Sequence, residues 1–184
     1  MGEAKPYIFF LASLGLAYFS RASLLRPRSH GFYRFFSWEA ILALALVNAD
    51  VWFHEPTSWH QLLSWPLLLA SGLLVLHGMH LLGMRGQADP ERDDPTLLDF
   101  EKTTALVRVG AYRYIRHPLY SSLLFLGWGV FFKAPSWLGA LLASLASLCL
   151  FAAARIEEGE NVRFFGEDYE EYKRGTKMFI PYLL

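Results

Sequence analysis

Apolar residues in this chain come in five long runs divided by polar segments, not in the alternation of a half-buried strand. Residues 6–25 (PYIFFLASLGLAYFSRASLL), 35–53 (FFSWEAILALALVNADVWF) and 59–83 (WHQLLSWPLLLASGLLVLHGMHLLG) each match the roughly 20 residues a helix needs to cross a bilayer. Trp and Tyr stand near several of their ends, where interfacial anchors belong. The polar stretch 84–116 then interrupts the pattern. Runs 118–132 and 137–154 follow, joined only by Lys133-Ala134-Pro135-Ser136, a connection short enough to force an antiparallel helical hairpin. The fourth run is short for a span, which predicts tilt or burial among its neighbours. In the tail, 155–184, Tyr169, Tyr172, Phe179 and Tyr182 are spaced among charges, as in an amphipathic cap lying at the interface. The first run is expected to be retained rather than cleaved as a signal peptide, because it is long, its amino end is not basic and no clean small-x-small site follows. The pattern predicts an all-α, polytopic membrane protein with about five transmembrane helices in a single domain, 1–184.

Composition agrees with lipid as the solvent. Of 184 residues, 54% are hydrophobic and only 18% charged, against about 25% charged in an average soluble domain. The 17 basic and 17 acidic residues balance, which argues against nucleic acid as a partner. The basic ones are sorted by position. Arg21, Arg26, Arg28 and Arg34 fall in the first inner loop, Arg85, Arg92, Lys102, Arg108, Arg113 and Arg116 in the second, and Arg155, Arg163, Lys173, Arg174 and Lys177 in the tail. Only Lys5 and Lys133 fall on the other side, so the amino end is expected outside and the carboxyl end in the cytoplasm. The lone Cys149 excludes an intramolecular disulfide and a cysteine zinc site, and its apolar surroundings make it a packing residue.

Both long polar segments thus face the cytoplasm, and the residues able to hold a charged ligand are there. The second inner loop closes with Gly110-Ala-Tyr-Arg-Tyr-Ile-Arg-His-Pro-Leu-Tyr120. Pro118 suits the first turn of a helix and leaves His117 at its mouth, where free backbone N–H groups favour an anion. If the approach is helical, Arg113, Arg116 and Tyr120 share one face; the plainer alternative is arginines anchoring lipid headgroups. At the end of the last apolar run, Arg155-Ile-Glu-Glu-Gly-Glu160 sets adjacent carboxylates at the interface, suited either to a sulfonium, an ammonium or ribose hydroxyls, or to a merely solvated helix end. The antiparallel hairpin returns Glu157 and Glu158 to the membrane face of His117 and Tyr120. His77 and His80 are three apart on the third run; with no third ligand on their side, interhelical hydrogen bonds are expected and no metal. Asn48 and Asp50 read as interfacial polar residues, and Glu39 as a partner of Arg34 or part of a substrate path. Gly72, Gly78, Gly139, Ala140 and Ala143 permit close helix contact.

Arg116-His117-Pro118-Leu119-Tyr120, the Gly127-Trp-Gly129 helix, the short hairpin, Glu157-Glu158 and the tail pattern Phe165-Gly166-x-x-Tyr169-x-x-Tyr172 together resemble the integral-membrane methyltransferases of the isoprenylcysteine carboxyl methyltransferase and phospholipid methyltransferase superfamily. Thr103-Thr104, Gly110 and Tyr112 also occur in the family's order, and the resemblance covers residues 69–181. The first two helices carry no part of it. The resemblance implies an S-adenosylmethionine pocket facing the cytoplasm, formed by the second inner loop, the last hairpin (117–155) and the tail, within a catalytic region 84–184 that follows three helices in 1–83. It implies an amphiphilic or lipid acceptor entering from the bilayer.

By position, Arg116, His117, Pro118, Tyr120, Glu157 and Glu158 would contact the cofactor, with Gly110 and Tyr112 lining its adenosine part. A carboxylate acceptor needs no base, and an arginine such as Arg113 or Arg174 can orient it, with Arg163 also in the tail; an amine acceptor must be neutral, which would call on Glu158 or a histidine. Phospholipid-type members carry a Gly-x-Gly motif followed by Gly-Asp; here Gly78 and Gly83 are the nearest match and the Asp is missing. The RHPxY run favours the prenylcysteine type, although Ser121-Ser122 replaces the glycine that often follows its tyrosine. The rival readings are an NADPH-dependent membrane enone or sterol reductase and a lipid-binding protein without activity. Compact length points to a prokaryotic inner membrane.

Overall fold

The computed structural model describes residues 2–86, 97–98 and 102–183. Among these the chain is helical, with seven α-helices and no strand: α1 (Lys5–Phe19), α2 (Arg21–Leu24), α3 (His30–Val47), α4 (Trp59–Arg85), α5 (Pro118–Phe131), α6 (Trp137–Phe165) and α7 (Glu167–Gly175). α4 and α6 are long and apolar enough to cross a membrane, and α1 and α5 are shorter apolar helices. A core helix of a water-soluble protein would bury such residues. On α4, however, Leu62, Leu69, Leu73 and Leu76 are 60–70% exposed, an outward apolar face that suits lipid.

Several boundaries depart from the hydropathy pattern for local reasons. The first run is divided at Ser20, so α1 ends at Phe19 and a single turn, α2, follows. α3 begins five residues before the apolar run because Ser29 caps it, its hydroxyl accepting from the Phe32 N–H at 3.3 Å. α6 continues eleven residues past the apolar run, through Glu157 and Glu158, to Gly166, whose φ of +60° stops the helix. α7 carries Glu167, Asp168 and Glu170 in its first turn and Lys173 and Arg174 in its last, as the helix dipole favours. Of the basic residues assigned to the inner loops, Arg92 lies outside the described residues.

α3 packs along α6 and α4 along α5, with α5 also touching α6. Leu44, Val130 and Ala143 form one end of the core, and Tyr120, Leu150, Ala153, Ala154, Met178 and Phe179 the other. Small residues permit some of the close approaches: a Cβ on Gly129 would lie 2.9 Å from Leu68 Cδ2, and one on Gly78 equally near Leu119. Gly72 instead faces open space, so its smallness serves no helix contact among the described residues.

At the end remote from His117, Asn48 and Lys133 are set more deeply than interfacial residues, while Asp50 is exposed. Asn48 is buried and donates to the Val130 carbonyl at 2.8 Å, tying α3 to α5. Asp50 pairs with Lys5 at 2.7 Å, and that hydrogen bond holds its carboxyl below the usual value. Lys133, placed outside by the charge pattern, is 1% exposed. Its ammonium donates to Gln61 Oε1 at 2.9 Å and lies 3.3 Å from the Trp65 ring centroid, and burial pushes its pKa down. Gln61 in turn donates to the His54 and Lys133 carbonyls at 3.1 and 3.3 Å. Gln61→Leu strips the buried ammonium of its acceptor and is expected to destabilise the protein by about 2–3 kcal/mol, read as a lower melting temperature in detergent. An unchanged melting temperature would remove Gln61 from this role.

Glu39 Oε2 accepts from Ser13 Oγ at 2.6 Å, joining α1 to α3. Arg34 lies over the Trp38 ring at 5.1 Å.

Candidate functional site

The approach to α5 is not helical, and this separates residues that a helix would have aligned. Gly110–Arg113 forms one 3-10 turn; the chain then extends and pairs with the tail. Lys177 N–H donates to the Tyr114 carbonyl, Arg116 N–H to the Lys177 carbonyl and His117 N–H to the Met178 carbonyl, at 3.0, 2.8 and 3.1 Å. Pro118 disfavours the α region for His117, whose φ and ψ are −123° and 63°. Helix α5 therefore starts at Pro118, with His117 at its mouth. Ser121 fastens this turn by donating to the Phe179 carbonyl at 2.7 Å, which explains a hydroxyl just after Tyr120.

Gly110 has a φ of +59°, and a Cβ there would stand 2.4 Å from His77 Nε2. His77 Nε2 accepts from the Ala111 N–H at 3.3 Å, so this histidine holds the loop onto α4 rather than a second helix. Gly110→Ala combines left-handed backbone with this clash. A loss of about 1–3 kcal/mol is expected, visible as reduced thermal stability; a variant as stable as the parent would contradict it.

The return of α6 brings the two charged clusters together. His117 Nδ1 is 3.8 Å from Glu157 Oε1 and its Nε2 is 3.6 Å from Glu158 Oε1, while the His117 ring stacks on Tyr120 with centroids 5.4 Å apart. Arg116 Nε donates to Glu158 Oε1 at 2.7 Å, and its Nη1 donates to the Lys173 carbonyl at 3.2 Å and to the Thr176 carbonyl. Arg116 thus clamps α6 to the end of α7. Lys173 Nζ stands 3.6 Å from Glu158 Oε2. Tyr172 donates to the Tyr112 carbonyl at 2.6 Å, and burial pushes the Tyr169 and Tyr172 phenols well above the usual tyrosine value, so both stay protonated at neutral pH.

These residues border a cavity lined by Tyr112, Arg116, His117, Pro118, Tyr120 and Glu157, together with Asn161, Phe165, Tyr169 and Tyr172 from α6 and α7 and Leu82, Leu106 and Leu119 on its apolar side. Its volume is about 90 Å³. Glu158 does not line it but supports Arg116 and His117, which do. Gly110 lies outside the lining and acts through the loop. Arg113 and Arg174 face a second cleft beyond Arg116, on the tail side. Asn161 and Phe165 carry no signal by themselves; they stand four and eight residues after Glu157 on one helix face, a spacing that shows only where the helix continues past residue 154.

The donor set suits S-adenosylmethionine. His117 Nε2, on a residue that lines the cavity, is buried and makes no hydrogen bond among the described residues. A carboxylate and five aromatic side chains facing one cavity match a sulfonium beside a nucleoside. No group of three potential metal ligands occurs among the described residues.

Three named enzymes are similar to part of the chain. A methanethiol S-methyltransferase of Crocosphaera subtropica is 39% identical over 75 residues, covering 39% of this chain and 28% of that protein. Methanethiol S-methyltransferase 1 of Bradyrhizobium diazoefficiens is 28% identical over 71 residues, 39% of this chain and 24% of that protein. The protein-S-isoprenylcysteine O-methyltransferase of Schizosaccharomyces pombe is 37% identical over 82 residues, 44% and 34% of the two lengths. The aligned part of the chain thus spans about a quarter to a third of each relative. No solved structure matches. The sequence profile of the phospholipid methyltransferases matches residues 59–168, from the start of α4 to the start of α7 and across the whole cavity-forming hairpin, and the chain belongs to that methyltransferase family.

Proposed function

We propose that this protein transfers a methyl group from S-adenosylmethionine to a hydrophobic or amphiphilic acceptor that reaches the cavity from the membrane. The observation that carries the reading is the meeting of His117 and Tyr120 with Glu157 and Glu158 at a cavity walled by aromatic rings. S-adenosylmethionine, when bound, supplies an electrophilic methyl group on a sulfonium whose positive charge disperses during in-line displacement. Alignment and exclusion of water are therefore the main tasks left to the protein.

Glu157 offers the cation a carboxylate, and Tyr112, Tyr120 and Phe165 offer ring faces. Glu158 and Arg116 keep His117 and the tail in place. Leu82, Leu106 and Leu119 exclude water and give an acceptor's apolar part a wall. A carboxylate acceptor gives up no proton in the step. A thiol or an amine does, and Glu157 and His117 are the lining groups able to take it. Arg113 and Arg174 orient an acceptor carboxylate only where the acceptor extends between the two clefts.

The five apolar helices α1, α3, α4, α5 and α6 are read as spans of a prokaryotic inner membrane, with Lys5 and Lys133 outside and the cavity and tail in the cytoplasm. A prenylcysteine-type carboxylate is the leading acceptor. The names of the relatives include both S- and O-methyl transfer, and a phospholipid amine is the alternative. The test is transfer of labelled methyl from S-adenosylmethionine, by the purified protein in lipid nanodiscs, to a farnesylcysteine analogue, a lipophilic thiol and phosphatidylethanolamine. Label in the farnesylcysteine ester is expected. Label in none of them, with NADPH-dependent reduction of an enone, would overturn the reading.

A further inference from the structure

The tail shapes a second cleft, of about 590 Å³, on the far side of Arg116. Arg113, Arg155, Arg174 and Lys177 rim it, all with exposed side chains, and Lys173 lies deeper; no acidic residue among the described ones lines it. None of the four rim cations forms an ion pair among the described residues. Such a concentration of one sign is self-repelling and favours an anion in its midst.

The surroundings indicate which anion. Leu141, Leu145, Leu148 and Phe151 follow one another at intervals of three or four on α6, are 44–68% exposed, and lead along one helix face to Arg155 on the rim. On the other flank Tyr182 and Leu183 are 85% and 75% exposed. The cations thus stand where an outward apolar stripe ends and the polar cap begins. A soluble anion has no use for that stripe, whereas acyl chains lie along it.

We propose that this cleft binds the phosphate headgroup of an anionic membrane lipid, with the chains along the Leu141-to-Phe151 face. Its back wall is the tail segment that pairs with residues 114–117, and Lys173 reaches both the cleft and Glu158. A bound headgroup therefore braces the tail against His117, a consequence that rests on the function proposed above; the binding itself does not.

The test titrates the detergent-purified full chain with dihexanoyl phosphatidylglycerol, dihexanoyl phosphatidylcholine and inorganic phosphate, reading binding by calorimetry. Phosphatidylglycerol is expected to bind about tenfold or more tighter than phosphatidylcholine, given several cations near one headgroup. Arg155→Gln with Lys177→Gln is expected to abolish that preference, and Arg155→Lys with Lys177→Arg to keep it. Both side chains are exposed, so equal melting temperatures are expected throughout. Equal affinity for the two lipids, or a preference that survives the glutamine pair, would overturn the proposal. Inorganic phosphate binding as tightly as phosphatidylglycerol would overturn the lipid assignment in favour of a soluble anion. Because the readout is lipid binding, failure here leaves the methyl-transfer reading standing.

Discussion

Glu158→Gln is expected to abolish S-adenosylmethionine binding and to lower the melting temperature together. Glu158 is 2% exposed and carries the Arg116 contact at 2.7 Å, with Lys173 and His117 each at 3.6 Å. Neutralising it leaves the buried Arg116 guanidinium without a counter-ion, a change that costs about 3–5 kcal/mol where a buried pair is broken from one side. Arg116 also holds the Lys173 and Thr176 carbonyls, so the loss spreads to the tail and to the cavity wall. The neighbouring Glu157→Gln separates binding from folding. Glu157 lines the cavity, its side chain is partly exposed and His117 Nδ1 stands 3.8 Å from its Oε1. It should weaken donor binding by about tenfold or more, one charged contact being worth 1.5–3 kcal/mol, with the melting temperature unchanged. Calorimetry and thermal unfolding of the two variants side by side check this; a stable Glu158→Gln protein with parental affinity would contradict it.

His117→Ala is the second large effect, and here binding falls much further than stability. The ring stacks on Tyr120, touches Phe179 and stands between the two carboxylates. Its backbone does the structural work separately: the N–H donates to the Met178 carbonyl and the carbonyl accepts from the Ser121 N–H, and alanine keeps both. The stacking itself contributes about 0.5–1.5 kcal/mol beyond the area buried, so a modest drop in melting temperature is expected beside loss of measurable donor binding. Retention of donor affinity in His117→Ala would remove this residue from the site.

Much of this arrangement was legible in the sequence because it depends on order and on one short turn. Four residues between apolar runs 118–132 and 137–154 determine that Glu157 and Glu158 come back beside His117, and the proline after His117 determines where α5 starts. Neither needs knowledge of tertiary packing. What hydropathy could not convey was the continuation of α6. The segment from Arg155 to Phe165 is polar enough to read as tail, yet nothing in it breaks a helix before Gly166, and that continuation carries Asn161 and Phe165 into the cavity wall.

Arg113 and Arg116 were ambiguous for another reason. Helical spacing puts them on one face, but pairing between residues 114–117 and 177–178 is a contact between segments some 60 residues apart, invisible to periodicity. It sends Arg116 to Glu158 and Arg113 to the second cleft. Lys133 and Asn48 show the same limit. Charge patterning assigns a side of the membrane, whereas burial of Lys133 on Gln61 and Trp65, and of Asn48 on the Val130 carbonyl, depends on partners that only the packed helices supply.

The most direct test of the central claim is calorimetric titration of the detergent-purified protein with S-adenosylmethionine and S-adenosylhomocysteine, with NADPH as the control. Saturable binding of both sulfur compounds and none of NADPH is the predicted result; binding of NADPH with no response to either sulfur compound would contradict the account and assign the cavity to a reductase.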